Sequence, residues 1–225
     1  MCKLIALVAA ILLGASAQAL AEPPPITVEG GATQGTTRGP IDIWLGIPYA
    51  APPVGALRWV APQPVKPWQG TLTTDTYGPS CFQPEVEFVS EDCLTLNVFR
   101  PQTMTGLLPV MVWIHGGAYV RGGSRLYPMQ ALAAQGIVGV SLNYRLGRLG
   151  FFAHAALQQD GAVKGNFGYL DQLAALKWVR KNIAAFGGDP ANVTIFGEST
   201  GGGSVIAHLI SPMSKGLFVR AIEHP

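Results

Sequence analysis

A chain of 225 residues, 48% of them hydrophobic, is long enough to bury one substantial core. Only 12% are charged, the formal net charge is +2 and the basic residues are scattered, which argues against a polyanion-binding patch, so no nucleic-acid partner is expected. No Cys/His cluster has metal-ligand spacing, so neither a metal nor another cofactor is expected.

The chain begins like an exported protein. Lys3 supplies a positive n-region, and residues 4–13 form an apolar stretch too short to span a bilayer. Ala19-Leu20-Ala21 fits a small-x-small cleavage site, with Ala17-Gln18-Ala19 as a second one. Residues 1–21 therefore read as a signal peptide, with a buried N-terminal helix as the alternative, and residues 22–225 as one domain without an internal boundary. The expected location is secreted or periplasmic, with no stable membrane anchor. Cys2 falls in the removed part. Cys81 and Cys93 remain as an even pair in an oxidising compartment, so a disulfide is expected, two free buried thiols being the alternative.

Pro23-Pro24-Pro25 makes a short stiff leader. Residues 26–28 and 41–44 read as strands joined by a Gly- and Thr-rich turn region. Residues 46–70 are too rich in proline for helix or central strand, and Tyr49, Trp59 and Trp68 mark them as ordered coil packed on the surface. Residues 94–99 alternate as a strand. Residues 109–114 and 137–142 are continuous apolar runs, the pattern of central strands. Residues 129–135 suit a short helix. Residues 168–186 form the strongest helix, with Leu176, Val179, Ile183 and Phe186 on one face, ended by Gly187-Gly188 and Pro190. A last strand is expected over 218–222. Buried strands alternating with helices imply an α/β fold with a mostly parallel central sheet and helices on both faces.

The chain is organised around Val193-Thr-Ile-Phe-Gly197-Glu198-Ser199-Thr200-Gly201-Gly202. A β-branched strand runs into Gly-x-Ser-x-Gly, and an apolar helix follows over 204–210. That order predicts a tight strand-to-helix turn that lifts the Ser199 hydroxyl to the top of the sheet, where it can act as a nucleophile. Gly197 and Gly201 are small because side chains would collide in so sharp a crossing. Such chemistry needs donors for an oxyanion, and His115-Gly116-Gly117-Ala118-Tyr119 follows a central strand in the pattern of an oxyanion loop. His154 and His208 read as core or surface histidines. Asn192-Val193-Thr194 matches a glycosylation sequon but reads better as the start of the strand.

At this point the chain resembles the type-B carboxylesterases, the cholinesterase-like branch of the α/β-hydrolases. The stretches that carry the likeness are Gly46-Ile-Pro-Tyr-Ala-Ala-Pro-Pro-Val-Gly55, Glu91-Asp-Cys-Leu-Thr-Leu-Asn-Val98, Trp113-Ile-His-Gly-Gly-Ala-Tyr119, Asn143-Tyr-Arg-Leu-Gly147, Asp171-Gln172, and Phe186-Gly-Gly-Asp-Pro190 through Phe196-Gly-Glu-Ser199. They cover nearly all of residues 22–225 in family order. The resemblance implies an α/β-hydrolase fold and a serine esterase that hydrolyses small carboxylic esters through an acyl-enzyme on Ser199. It implies an oxyanion hole from the backbone N–H groups of Gly117, Ala118 and Thr200, although the family usually has Ala where Thr200 stands. It pairs Cys81 with Cys93 around a loop that lines the gorge in relatives, and here the short stretch 82–92 implies a low rim. It implies structural ion pairs Arg58 with Glu91 and Arg145 with Asp171, solvated surface charge being the alternative for these four.

The α/β-hydrolase triad runs Ser, then Asp or Glu, then His. Beyond Ser199 the one acid is Glu223, adjacent to His224. Chain neighbours cannot serve as well-separated acid and base. The family domain is more than twice this length, and its usual text after residues 220–222 is replaced by Glu223-His224-Pro225. The expectation is an N-terminal portion, truncated or frameshifted after the nucleophile elbow. The competing function class is an inactive fragment or a non-catalytic cholinesterase-like binding protein. Acyl and alcohol preference and oligomeric state have no sequence signal.

Overall fold

The computed structural model describes residues 22–157 and 165–225; the signal-peptide expectation for residues 1–21 lies outside them. The N-terminal part is β-rich. It runs through β1 (Ile26–Val28), β2 (Gly31–Gln34), β3 (Thr36–Arg38), β4 (Ile41–Pro48) and β5 (Thr71–Thr73), then β6 (Ser80–Cys81) and β7 (Val89–Ser90). The stretch read as a Gly- and Thr-rich turn thus holds two strands. β2 is paired between β1 and β5, and β3 forms an antiparallel hairpin with β4. Backbone pairing with these neighbours overrides residue types that do not favour strands.

The alternating part follows with β8 (Thr95–Pro101), β9 (Leu108–Ile114), α1 (Gln130–Ala133), β10 (Val138–Leu142) and α2 (Gly147–Phe151). α3 (Phe167–Asn182), β11 (Gly188–Glu198), α4 (Thr200–Ile210) and β12 (Arg220–His224) complete it. The last strand starts two residues later than the apolar run suggested. The long helix ends as a 3-10 turn over Ile183–Phe186, closed by Gly187 at φ 78°, a left-handed position that suits glycine.

Seven strands form the central sheet in the order β12-β11-β9-β10-β8-β4-β3. β12, β11, β9 and β10 are mutually parallel, while β8, β4 and β3 are antiparallel additions at the N-terminal edge. At its centre Val112 of β9 stands between Val140 and Ile195, all three fully buried. α3 and α4 cover one face, and Leu176, Val179, Ile183 and Phe186 are buried in the core against it. α1 covers part of the other face, where Trp113, Tyr127 and Phe196 pack together half-buried. β9 and β11 consequently alternate in burial instead of reading as strands closed on both sides.

The proline-rich coil is ordered by its aromatics. Tyr49 is buried, with its hydroxyl donating to Asn143 O at 2.6 Å; Trp68 donates to Ala32 O and Trp59 to Arg148 O, each at 2.8 Å.

Candidate active site

Ser199 is the residue between β11 and α4, at the C-terminal end of a parallel strand and the N-terminus of a helix. Its backbone is at φ 56°, ψ −126°, a region that side chains rarely occupy, and its side chain is exposed. The turn is over-determined by its neighbours. A Cβ on Gly197 would lie 2.5 Å from Gly201 C and 2.7 Å from Ile114 O, and one on Gly201 would overlap Ile114 O. The helix begins by donating Gly203 N–H to Ser199 O at 3.0 Å, and Ser199 N–H donates to His224 O at 2.9 Å.

The loop after β9 packs directly on this turn. A Cβ on Gly116 would sit 2.5 Å from Glu198 O and 3.2 Å from Ser199 Cβ. Gly117, Ala118 and Tyr119 follow one another at φ 112°, 55° and 58°. Ala118 therefore bears a left-handed strain that a glycine would not. The loop is closed by Val120 N–H and Arg121 N–H, which both donate to Gly117 O at 3.0 Å. Among the described residues the N–H groups of Gly117, Ala118 and Thr200 donate to no protein acceptor. Unsatisfied donors at a helix N-terminus and in an adjoining left-handed loop favour an oxyanion.

His115 opens this loop, and among the described residues its Nε2 has no hydrogen-bond partner. Its ring is buried, stacks on Tyr144 at 4.4 Å and places Nδ1 2.8 Å from Gly116 O. Burial lowers its pKa to about 4, so it is a neutral spacer at ordinary pH. Tyr144 in turn donates to His115 O at 2.7 Å.

A cleft of about 660 Å3 opens over the turn, lined by Ser199, Glu198, Gly116, Gly117, Gly122 and residues of the 121–127 and 80–86 segments. A second concavity, about 400 Å3 beside Leu173 and Trp178, contains none of the turn or loop residues.

Cys81 and Cys93 are disulfide-bonded, with Cα atoms 5.0 Å apart. The loop they close is fastened to the cleft by Gln83. Its Nε2 donates to Gly122 O at 2.7 Å and its Oε1 accepts from Gly122 N–H at 2.8 Å. At the base of the same loop Glu91 accepts from Arg58 Nε at 2.7 Å, half-exposed. Arg145 and Asp171 form a buried pair, Nη2 to Oδ1 at 2.7 Å and Nε to Oδ2 at 2.8 Å, with Arg145 N–H also donating to Oδ2 at 3.0 Å. Burial pushes the Asp171 carboxyl up, and the three hydrogen bonds from Arg145 pull against that shift. The pair fixes the segment that leads to Gly147, whose N–H donates to Tyr119 O at 2.6 Å. It thereby braces the 115–119 loop from α3.

One buried network had no assigned role in the sequence. Ser214 Oγ meets His208 Nδ1 at 2.9 Å, His208 Nε2 meets Gln172 Oε1 at 3.1 Å, Gln172 Nε2 donates to Ser204 Oγ at 3.1 Å, and Ser204 Oγ donates to Thr200 O at 3.0 Å. It ties the first turn of α4 to α3. The available signal was Ser204 and His208 four residues apart on one helical face, beside the polar Gln172 of the long helix.

The family assignment rests on comparison as well as geometry. The sequence matches the carboxylesterase family over residues 22–224. The chain belongs to the carboxylesterase family. It is 51% identical over 209 residues to the para-nitrobenzyl esterase of Bacillus subtilis, and the match covers 88% of this chain and 42% of that protein. It is 48% identical over 204 residues to the liver carboxylesterase of Sus scrofa, covering 82% of this chain and 35% of that protein. A solved para-nitrobenzyl esterase superposes with a TM-score of 0.83 at 52% identity, over 88% of this chain and 42% of that one. A Geobacillus stearothermophilus carboxylesterase superposes at 0.84 with 42% identity, over the same shares. The chain thus spans about two fifths or less of the length of these relatives, and the α/β-hydrolase architecture is that of the family.

Proposed function

We propose that this carboxylesterase-family chain carries the nucleophilic half of a serine ester hydrolase. Ser199 Oγ attacks the carbonyl carbon of a small carboxylic ester. The N–H groups of Gly117, Ala118 and Thr200 receive the oxyanion of the tetrahedral intermediate. The alcohol leaves with a proton, and water then releases the acid from the acyl-serine. The observation that carries this reading is an exposed serine at φ 56°, lining a cleft together with Gly117, in a turn whose following residue Thr200 and whose adjoining loop residues Gly117 and Ala118 have N–H groups with no protein acceptor among the described residues.

Serine needs a base to take its proton, and the base needs an orienting acid. His115 turns to Gly116 O, His208 to Gln172 and Ser214, and His224 to Pro225 O, while His154 stacks on Phe152. The base and acid are accordingly proposed to come from outside this set of side chains. The same observation favours a second reading, a polypeptide that is inactive on its own. A fluorophosphonate probe with peptide mapping, run on this chain and on the same chain continued into a full-length relative's C-terminal portion, separates the two. Labelling at Ser199 in the longer protein supports the hydrolase. Labelling in neither, or labelling that persists in Ser199→Ala, overturns it.

The protein is further proposed to be secreted or periplasmic, on the strength of the N-terminal pattern and the Cys81–Cys93 disulfide. Among the described residues no helix is long and apolar enough to cross a membrane.

A further inference from the structure

The acyl-transfer chemistry leaves part of the cleft unused, and that part is charged. Arg121 and Arg125 both line the cleft that holds Ser199. Arg121 is anchored through its backbone N–H to Gly117 O. Arg125 sits on the 3-10 turn Ser124–Leu126, with its guanidinium 5.7 Å from the centre of the Phe88 ring. That turn is held by Ser124 N–H donating to Asn143 Oδ1 at 2.8 Å and by Asn97 Nδ2 donating to Ser124 Oγ at 2.9 Å. Among the described residues neither guanidinium is in an ion pair; the four that form join other residues. The one carboxylate on the lining is Glu198, immediately before Ser199. The cleft is polarised, with negative charge beside the reacting hydroxyl and two guanidinium groups along the 121–127 wall.

We propose that this cleft selects esters that carry a free carboxylate on one half, and that Arg121 and Arg125 bind it. The proposal rests on ester hydrolysis at Ser199. Planar guanidinium groups match a carboxylate with paired donors, and two of them in one concavity raise the local concentration of anions. Glu198 repels a carboxylate placed next to the reacting carbonyl. The anionic group must therefore lie several bonds away, as in a half-ester of a linear diacid. Val86, Leu126 and Tyr127 on the lining offer apolar contact to the spacer.

The test uses two non-hydrolysed amides of matched shape, N-phenylglutaramic acid and the neutral N-phenylpentanamide, titrated into the chain by calorimetry. At about 0.02 M ionic strength the acid should bind roughly tenfold more tightly, and at about 0.5 M that advantage should shrink to roughly twofold, because exposed charges are screened. Arg121→Gln with Arg125→Gln should abolish the advantage with an unchanged circular dichroism spectrum, and Ser199→Ala should keep it. Equal binding of the two amides, no binding of the acid, or an advantage that survives the double arginine variant would overturn the proposal. Turnover of the 4-nitrophenyl half-ester of glutaric acid reports the hydrolase reading separately. Turnover without anion preference sinks this proposal alone, and anion preference in a longer protein that does not turn over sinks the hydrolase reading alone.

Discussion

Gln83 and Gly122 are joined by a two-way hydrogen bond, the side-chain amide of one matching the backbone amide of the other at 2.7 and 2.8 Å. Gly122 accepts no substitute, since a Cβ there would overlap His115 Nδ1. The contact transmits the disulfide-closed loop to the cleft wall, one residue after Arg121. Gln83 is buried and also donates to Cys81 O at 2.9 Å. Gln83→Ala strands buried partners and should cost about 2 kcal/mol of unfolding free energy. Gln83→Glu, which keeps the acceptor and loses the donors, should fall in between. Urea unfolding measures both. A Gln83→Ala protein as stable as the parent would show that the clasp is incidental.

The Cys81–Cys93 bond closes a short loop, its ends 12 apart in sequence. Reduction, or replacement of both cysteines by alanine, should lower stability by roughly 3 kcal/mol in the chain-entropy model. It should also loosen the Gln83 clasp, so hydrogen exchange at Gly122 N–H should accelerate. A stability loss without faster exchange at Gly122 would mean that loop and cleft wall are uncoupled.

The strand-to-helix turn and the 115–119 loop were legible because local rules dictate them. Glycines stand where backbone contacts leave no room for a side chain, a β-branched run leads into the turn, and a continuous apolar run leads into the loop. The long helix was legible from one apolar face, although its last turn tightens to 3-10. β2 and β3 were not legible. Gly-Ala-Thr-Gln and Thr-Thr-Arg lack alternation, and partners from β1, β5 and β4 make them strands. The directions of β8, β4 and β3 were hidden for the same reason, since an apolar period does not encode which way a strand runs. The network through Gln172 and His208 escaped because buried polar residues show their purpose only once their partners are in place.

His115 and His208 should make the protein acid-labile. Burial lowers both pKa values to about 4 from the ordinary 6.5, so the folded state resists protonation that the unfolded chain accepts. Their contribution is complete above pH 6.5 and is lost as the pH falls towards 4, at most roughly 3 kcal/mol for each. Urea unfolding from pH 7 to 4.5 should show this slope. His208→Gln should be less stable at pH 7, having lost part of the network, but should lose less between the two pH values. An unchanged slope in that variant would assign the acid lability to other groups.

Thr200 Oγ1 is buried and, among the described residues, has no hydrogen-bond partner. An unsatisfied buried hydroxyl costs roughly 1–3 kcal/mol. Thr200→Ala should therefore be neutral or stabilising by about 1 kcal/mol, while the backbone N–H proposed for the oxyanion stays in place. In a protein that turns over ester, activity should stay within about threefold, since a main-chain donor is untouched. A loss beyond that would mean that the hydroxyl itself takes part.

The last prediction separates strain from chemistry at Ser199. At φ 56°, ψ −126° a residue with a side chain is held where glycine is comfortable, at a cost of roughly 1–3 kcal/mol. The surroundings enforce it. Gly197, Gly201 and Ile114 O leave no slack beneath the turn, and Ser199 N–H is committed to His224 O. Ser199→Ala removes the hydroxyl but keeps a Cβ, so its stability should match the parent within about 0.5 kcal/mol, because among the described residues the exposed hydroxyl makes no bond to lose. Ser199→Gly removes both. It should be the more stable protein by about 1 kcal/mol, the strain relief being partly offset by the extra freedom glycine gives the unfolded chain. Both should lose ester turnover in a protein that has it. Thermal unfolding of the three forms, side by side, reads the difference. If glycine is no more stable than alanine, the turn is not strained, and the exposed position of Ser199 would then owe nothing to a stability–function compromise.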